Sequence, residues 1–197
     1  MYKRNNIRRF FKWLLIISGI ILSALAVFFF YKTNVTENTD SYIYALPFKK
    51  GDAYRVVQGY GGLFSHTHIA ALDFEMPVGT PIHAAREGEI YSYKSDSESG
   101  GVSQKHKGEA NYIIIRHPDG SFGCYWHLKK DGVVTKTGRV QKGQLIGYSG
   151  ATGQVLRPHL HFSVKRVLNY DKDSFVKTKF TTSDGVVFLK NGREYGE

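Results

Sequence analysis

Hydrophobic residues are unevenly distributed along the chain, and the first feature that they define is an N-terminal segment. Residues 13–31 form an uncharged run of 19 residues, rich in Ile, Leu, Val and Phe. As a helix this run would extend about 28 Å, close to the thickness of the hydrocarbon core of a bilayer. No polar face interrupts it, which argues against a helix buried in a globular core. The pattern predicts one transmembrane helix.

The charges before this run predict its orientation. Five basic residues and no acidic ones precede it: Lys3, Arg4, Arg8, Arg9 and Lys12. Because such residues stay on the cytoplasmic side, residues 1–31 are predicted to be a cytoplasmic basic segment and a transmembrane signal anchor. The chain after Lys32 would then lie on the extracytoplasmic side, in a periplasm or cell wall. A cleavable signal peptide is the alternative, since residues 24–26 resemble a cleavage site, but the apolar residues that follow favour the uncleaved anchor.

A polar segment follows, and it separates the anchor from the rest of the chain. Residues 32–45 contain several Thr and Asn residues and two acidic residues, a composition typical of a short linker. At full extension it would reach only about 40 Å. The folded domain, predicted over residues 46–197, would therefore be held near the outer face of the membrane.

The remaining hydrophobic residues occur in short segments that are rich in aromatic and β-branched side chains. Turn residues separate these segments, which favours strands over helices. The predicted strands cover residues 54–58, 70–74, 88–93, 112–116, 123–127, 144–148 and 159–165. Residues 118–120 are predicted to form a hairpin turn, and residues 175–182 and 186–190 a C-terminal hairpin. The prediction is an all-β domain, with residues 94–109 as a mobile polar surface loop.

Composition and charge exclude several classes of protein. The net charge is +10, and the N-terminal basic segment supplies half of it. The rest is spread without a dense basic block, so no nucleic-acid partner is predicted. Cys124 is the single cysteine, which excludes an intramolecular disulfide and any cysteine-rich zinc module. It lies in an apolar run and is predicted to be a small buried residue.

The residues that could carry chemistry include two closely spaced histidines. His159 and His161 would point to one face of a strand, with Leu160 facing the core. Asp73 is an acid within an apolar strand, where a carboxylate needs a partner, and a metal is a strong one. A hydrolytic zinc site needs three nitrogen or carboxylate ligands and an open position for water. Taken singly, each of these residues could be an ordinary structural or surface residue.

Three blocks of sequence resemble the lysostaphin-type zinc metallopeptidases. They occur in the family's order over about residues 46–168. The first runs from Asp73 to Gly88 and includes MPVGTPIHAAREG; the second comprises NYIIIRHPDG (111–120) and YWHL (125–128); the third extends from GQLIGYSGATG (143–153) to PHLHF (158–162). The resemblance implies antiparallel sheets that form a substrate groove with a zinc site.

The resemblance also implies roles for individual residues. Asp73 and His161 match the family's Zn²⁺ ligands, and His127 and His159 match its two catalytic histidines that do not bind the metal. The usual first ligand would be four residues before Asp73, where this chain has Ile69. His66 and His68 are the candidates, and His66 is favoured because a Gln-Gly segment precedes it, as in one branch of the family. Both have odd spacings from Asp73, so a loop or bulge must intervene.

The implied function is that of a membrane-anchored zinc metalloendopeptidase. Its substrate would be a peptide bond in the stem peptides or cross-bridges of peptidoglycan. The alternative is a catalytically inactive relative that binds peptidoglycan or regulates another hydrolase. The other histidines, His83, His106 and His117, are predicted to be scaffold or surface residues.

Overall fold

The computed structural model of the protein describes residues 2–32 and 38–197. The N-terminal unit contains helix α1, Tyr2–Lys32. Within it, Arg9–Phe28 is a stretch of 20 residues with a mean hydropathy of 2.2, and none of these residues is buried. Its length and composition suffice to cross a membrane, and a signal sequence would share both properties. An apolar N-terminal helix is therefore confirmed.

The second unit is built from strands. Their bounds are β1 Thr39–Tyr44, β2 Ala53–Gln58, β3 Ala71–Glu75, β4 Pro81–His83, β5 Gly88–Lys94, β6 Gly100–Gly101, β7 Asn111–Arg116, β8 Phe122–Val133, β9 Arg139–Val140, β10 Leu145–Ser149, β11 Gly153–Gln154, β12 His159–Lys165, β13 Phe175–Thr182, β14 Gly185–Val187 and β15 Glu194–Gly196. Short 3-10 turns cover Gln104–His106 and Lys172–Ser174. Each of the seven strands predicted from the sequence is present, with bounds that differ by a few residues.

The strands form a mainly antiparallel sheet with β12 near its centre. The sheet's main path runs β15-β2-β3-β12-β8-β7-β5-β9. Strand β12 pairs antiparallel with β3 on one side and with β8 on the other. Strands β7 and β8 form the predicted hairpin, and Gly120 adopts the positive φ that its turn requires. The all-β prediction is confirmed.

Alternation along β12 separates the core from the site. Leu160, Phe162 and Val164 are all at least 99 % buried and belong to the main hydrophobic core. His159 and His161 lie at the intervening positions and are half-buried. The period of two residues predicted this division, because successive strand residues point to opposite faces.

The prediction of a linker is wrong for the second half of residues 32–45. Thr39–Tyr44 is a strand that pairs in parallel with β13. Tyr44 is fully buried in the core, and its hydroxyl donates to Asp40 Oδ2 at 2.7 Å. The polar composition predicts a linker because Thr, Asn and acidic residues outnumber the alternating Tyr42 and Tyr44. Residues 33–37, also in the predicted linker, lie outside the described residues.

Two other predicted segments have clear outcomes. The C-terminal hairpin is present, since β13 and β14 pair antiparallel from Phe180 with Val187 to Thr182 with Gly185. Residues 94–109, predicted as a loop, include strand β6, which pairs in parallel with β11. The pairing needs glycine because a Cβ atom on Gly100 would lie 1.9 Å from the carbonyl oxygen of Ala151. This long-range contact has no local pattern in the sequence.

Candidate active site

Three side chains converge where β3 and β12 face the loop before β3. His66 Nε2 lies 3.2 Å from Asp73 Oδ1, and His161 Nδ1 lies 2.9 Å from the same oxygen. The two histidine nitrogens are 3.2 Å apart. These atoms form a compact triangle of two imidazole nitrogens and one carboxylate oxygen.

The sheet register and the preceding loop explain this convergence. His161 and Asp73 are direct cross-strand partners, so their side chains leave the sheet side by side. His66 lies between β2 and β3, in a segment without strand structure, and is fully buried. The loop removes the constraint of strand alternation, which is why an odd spacing from Asp73 is compatible with one site.

The triangle has the donor set and the size that suit a zinc ion. Zn²⁺ takes nitrogen and carboxylate ligands at about 2.0–2.1 Å in tetrahedral geometry, which separates neighbouring donor atoms by about 3.3 Å. The observed separations of 2.9–3.2 Å are close to this value. Three protein ligands would leave the fourth position for water, as hydrolytic zinc sites require.

Hydrogen bonds from outside the triangle fix two of its members. His66 Nδ1 donates to the carbonyl oxygen of Gly59 at 3.2 Å, so in the neutral ring, the form that binds a metal, the lone pair is on Nε2 and is directed toward the triangle. Gln58 Nε2 donates to Asp73 Oδ2 at 3.0 Å, so Oδ1 remains available as a ligand. Such outer contacts orient metal ligands and set their tautomers.

The carboxyl group of Asp73 is held in its ionised form. Burial by itself raises the pKa of Asp73, but the hydrogen bonds that the rings of His161 and His66 donate to it when they are protonated outweigh that effect. Together with the charges of these two rings they hold the pKa well below its ordinary value. An ionised carboxylate is the form that binds a metal.

His127 and His159 lie beside the triangle without belonging to it. Their ring centroids are 4.7 Å apart, and His159 Nε2 is 3.7 Å from Asp73 Oδ1. His127 Nδ1 donates to the carbonyl oxygen of Thr152 at 2.7 Å, and His159 Nδ1 donates to that of Arg157 at 2.8 Å. Each ring therefore keeps Nε2 as the nitrogen that can accept a proton.

The backbone and the electrostatics of His127 are both unusual. Its φ is 68°, in the left-handed region that residues other than glycine rarely adopt. Desolvation, together with the nearby charges of His159 and His161, lowers the pKa of His127 to about 3. The ring is therefore neutral near pH 7 and can accept a hydrogen bond. Strained backbone of this kind is frequent at functional sites.

A cleft gives access to these side chains. It has a volume of about 730 Å³, and its lining includes Asp73, His127, His159 and His161. Phe64 and Leu156, exposed by 91 % and 81 %, also line it. The site is therefore an open groove in which a peptide could reach the triangle.

The remaining histidines lie outside the triangle. His68 is exposed on the loop that carries His66. His117 Nδ1 donates to the carbonyl oxygen of Glu87, and His106 Nδ1 lies 2.8 Å from Ser99 Oγ. His83 is half-buried in β4, and its Nδ1 has no hydrogen-bond partner among the described residues. Cys124 is buried, and burial raises its thiol pKa to about 12, as expected for a structural residue.

Sequence reasoning missed two kinds of contributor to the site. The first is Gln58, although a polar residue at the end of a strand that enters the core is a usable signal. The second is the carbonyl oxygens of Thr152 and Arg157, which orient the catalytic candidates. Backbone groups exist at every position, so no residue type could have identified them.

Comparisons with known proteins identify a family and several similar proteins. Residues 67–174 match the sequence model of peptidase family M23. The chain is 36 % identical over 92 residues to peptidoglycan DD-endopeptidase ShyA of Vibrio cholerae, an alignment covering 47 % of this chain and 19 % of that protein. It is 37 % identical over 144 residues to the glycyl-glycine endopeptidase ALE-1 of Staphylococcus capitis, covering 70 % of this chain and 34 % of that protein.

A solved structure gives a partial superposition. The catalytic domain of lysostaphin from Staphylococcus simulans superposes with a TM-score of 0.43 at 32 % identity, covering 65 % of this chain and 86 % of that one. The sequence match alone covers more than half of the chain. The chain belongs to peptidase family M23, which confirms the resemblance described above. The matched residues include Asp73, His127, His159 and His161, whereas His66 precedes them.

Proposed function

We propose that the protein is a membrane-anchored zinc metalloendopeptidase that hydrolyses peptide bonds in peptidoglycan stem peptides or cross-bridges. The observation that carries the proposal is the triangle of His66, Asp73 and His161 beside two histidines in one open cleft. The names of the two relatives, a peptidoglycan DD-endopeptidase and a glycyl-glycine endopeptidase, support the choice of peptidoglycan peptides. This chain spans about a fifth to a third of their length.

The residues divide into metal ligands and proton-handling groups. His66, Asp73 and His161 would hold Zn²⁺, and Gln58 keeps Asp73 in position. A bound zinc ion supplies a water molecule of lowered pKa and an electrophile for the peptide carbonyl. His127 and His159 each present Nε2 toward the cleft, where one accepts the proton of the attacking water.

The protonated ring then acts as a donor. It can stabilise the oxyanion of the tetrahedral intermediate or pass its proton to the leaving amine. The carbonyl oxygens of Thr152 and Arg157 hold the two rings in place, since each accepts the hydrogen of Nδ1. Thr152 is fixed in turn, because its hydroxyl donates to the carbonyl oxygen of Leu128 at 2.7 Å. No glutamate general base is needed in this arrangement.

The proposed location follows from the N-terminal helix. The apolar part of this helix, residues 13–31, would cross the membrane with the preceding basic residues on the cytoplasmic side. The peptidase domain would then lie on the extracytoplasmic side, where peptidoglycan is found. In this proposal the chain comprises an anchor, a linker shorter than the predicted residues 32–45, and a peptidase domain that includes β1.

The test is hydrolysis of defined substrates by the full chain in detergent. Cross-linked muropeptides of known cross-link type are incubated with the zinc-loaded protein, and the products are identified by mass spectrometry. We expect cleavage of one type of peptide bond, its loss on chelation, and recovery when zinc is restored. Asp73→Ala is the inactive control. Binding of muropeptides without any hydrolysis would contradict the proposal and favour the inactive relative.

A further inference from the structure

The strand that carries His159 and His161 continues past the triangle with two more polar residues on the same face. Alternation places Ser163 and Lys165 in line with the histidines, and all four residues line the same cleft. His161 and Lys165 are four residues apart, which corresponds to about 13 Å along a strand. Neither Ser163 nor Lys165 has a role in the chemistry described above.

Lys165 is a buried cation without an acidic partner. It is 6 % exposed, and its Nζ donates to the carbonyl oxygen of Asn169 at 2.8 Å. Nζ also lies 4.6 Å from the ring centroid of Tyr170 and 4.2 Å from that of Phe175. None of the ion pairs formed by the described residues includes it, and burial lowers its pKa. An ammonium group has three hydrogens to donate, so further hydrogen-bonding capacity remains.

Ser163 is a second underused donor beside it. The residue is 2 % exposed, and its Oγ has no nitrogen or oxygen partner among residues 38–197. The thiol of Cys124, a weak acceptor, lies across the strand pair. A buried hydroxyl without a good partner is costly, which indicates that a ligand completes its hydrogen bonding.

The charges around the cleft favour an anionic ligand. Three cations line it, Lys107, Arg157 and Lys165, against the single carboxylate of Asp73. Arg157 is already paired with Glu75 at 2.7 Å, and Asp73 is committed to the histidines. Lys165 is thus the buried cation of the cleft that lacks a carboxylate partner.

We propose that Lys165, together with Ser163, binds a carboxylate of the peptide substrate and so selects acidic peptides. This inference rests on the peptidase function proposed above. An extended peptide advances about as far per residue as a strand does, so the carboxylate lies within about four residues of the scissile bond. It can be the C-terminal carboxylate of a stem peptide or an acidic side chain within it.

A purely structural role for Lys165 makes a different prediction. Its bond to Asn169 and its contact with Tyr170 could serve only to hold the segment between β12 and β13. In that case, substitution of Lys165 would lower the hydrolysis of every peptide equally. Substrate preference therefore separates the two roles.

The experiment uses the full chain in detergent and matched pairs of synthetic stem peptides. One pair differs only in a C-terminal carboxylate or carboxamide, and a second pair differs only in a side-chain carboxylate or amide. Hydrolysis of each peptide and its equilibrium binding by calorimetry are measured together. We expect kcat/KM and the affinity of the native protein to be higher for the acid than for the amide of one pair, by about tenfold or more. The reason is that the amide cannot accept the charge-assisted hydrogen bond. The pair that shows the preference identifies the source of the carboxylate.

Variants assign the preference to the site. Lys165→Met should lower kcat/KM for the acidic peptide by raising KM. The same variant should leave kcat/KM for the amide peptide unchanged and should retain zinc. Lys165→Arg should keep the preference for the acid. Ser163→Ala should reduce the preference by about threefold. Lys107→Met, which removes an exposed cation of the same cleft, should retain the preference and is the matched control.

The outcomes separate this inference from the proposed function. The carboxylate site would be overturned if the native protein hydrolysed both members of each pair equally well. It would also be overturned if Lys165→Met lost kcat/KM equally for the acid and the amide. Preferential binding of the acidic peptide without hydrolysis would support the site and refute the peptidase function instead.

Discussion

Gln58 Nε2 donates a hydrogen bond to Asp73 Oδ2 at 3.0 Å, on the side of the carboxylate away from the metal-binding triangle. The two residues are also cross-strand partners, with a bulge in β2 just before Gln58. The same amide carries Oε1, which accepts from the backbone N–H groups of Phe64 and Ser65 at 3.1 and 3.2 Å. One side chain therefore positions both Asp73 and the loop that presents His66.

This relationship predicts a metal-binding defect from a residue that is not a ligand. We expect Gln58→Met to weaken zinc affinity by about 10- to 100-fold, because Asp73 loses an orienting donor and the His66 loop loses an acceptor. Zinc affinity is measured by competition with a chromogenic chelator. Gln141→Met, on an exposed side chain outside the cleft, is the control. Unchanged zinc affinity in Gln58→Met would refute the positioning role.

Zinc content and turnover should separate the two groups of histidines. His66→Ala, Asp73→Ala and His161→Ala should lose both zinc and hydrolysis, because two ligands do not retain the metal. His127→Ala and His159→Ala should retain most of the zinc and lose turnover by about 100-fold or more. The measurement is metal analysis of each purified variant beside its rate on a muropeptide.

His68 is the control for the ligand assignment. His68→Ala should keep zinc and most of the activity, since it is exposed and outside the triangle. If His68→Ala loses zinc while His66→Ala retains it, the assignment of the first ligand is wrong. The family would be unaffected by that result.

The N-terminal helix should remain on the mature protein. Its apolar stretch extends beyond the small residues that resemble a cleavage site, so the anchor should be inserted without processing. Mass spectrometry of the protein extracted from membranes should find residues 1–31 still attached. A mature N-terminus at Val27, with the protein in the soluble fraction, would contradict the anchor.

Acid should weaken a contact on the turn between β7 and β8. Asp119 accepts from the N–H and hydroxyl of Ser121 at 3.0 and 2.7 Å, and from Arg86 Nη1 at 2.8 Å. Burial by itself raises the pKa of Asp119, but these contacts lower it from 3.8 to about 2. The folded pKa is the depressed one, so this stabilisation is present above pH 3.8 and is lost as the pH falls toward 2.

The corresponding variant is Asp119→Asn. We expect it to lower the melting temperature at neutral pH, with the difference from the native protein disappearing near pH 2. The side chain is 43 % exposed, so solvent limits the effect to about 1 kcal/mol or less. Thermal melts of both metal-free proteins at the two pH values provide the measurement. A difference independent of pH would show that the contact acts through packing alone.

The sequence by itself determined the features that depend on local chemistry. The apolar run defined the N-terminal helix, the turn at residues 118–120 defined the β7–β8 hairpin, and alternation at 159–161 placed Leu160 in the core and both histidines outside it. The family assignment also came from the sequence, because its motifs are contiguous. Each of these signals involves residues close together in the chain.

Tertiary structure alone decided the features that join distant residues. Strand β1 was hidden because its partner, β13, is more than 130 residues away, and the pairing depends on burial of Tyr44. The proximity of His66 to the triangle depends on the path of an irregular loop, which strand periodicity does not describe. The bond from Gln58 to Asp73 and the left-handed backbone of His127 likewise arise from register and long-range contacts. Such arrangements are set by the packing of the whole sheet, which no local pattern encodes.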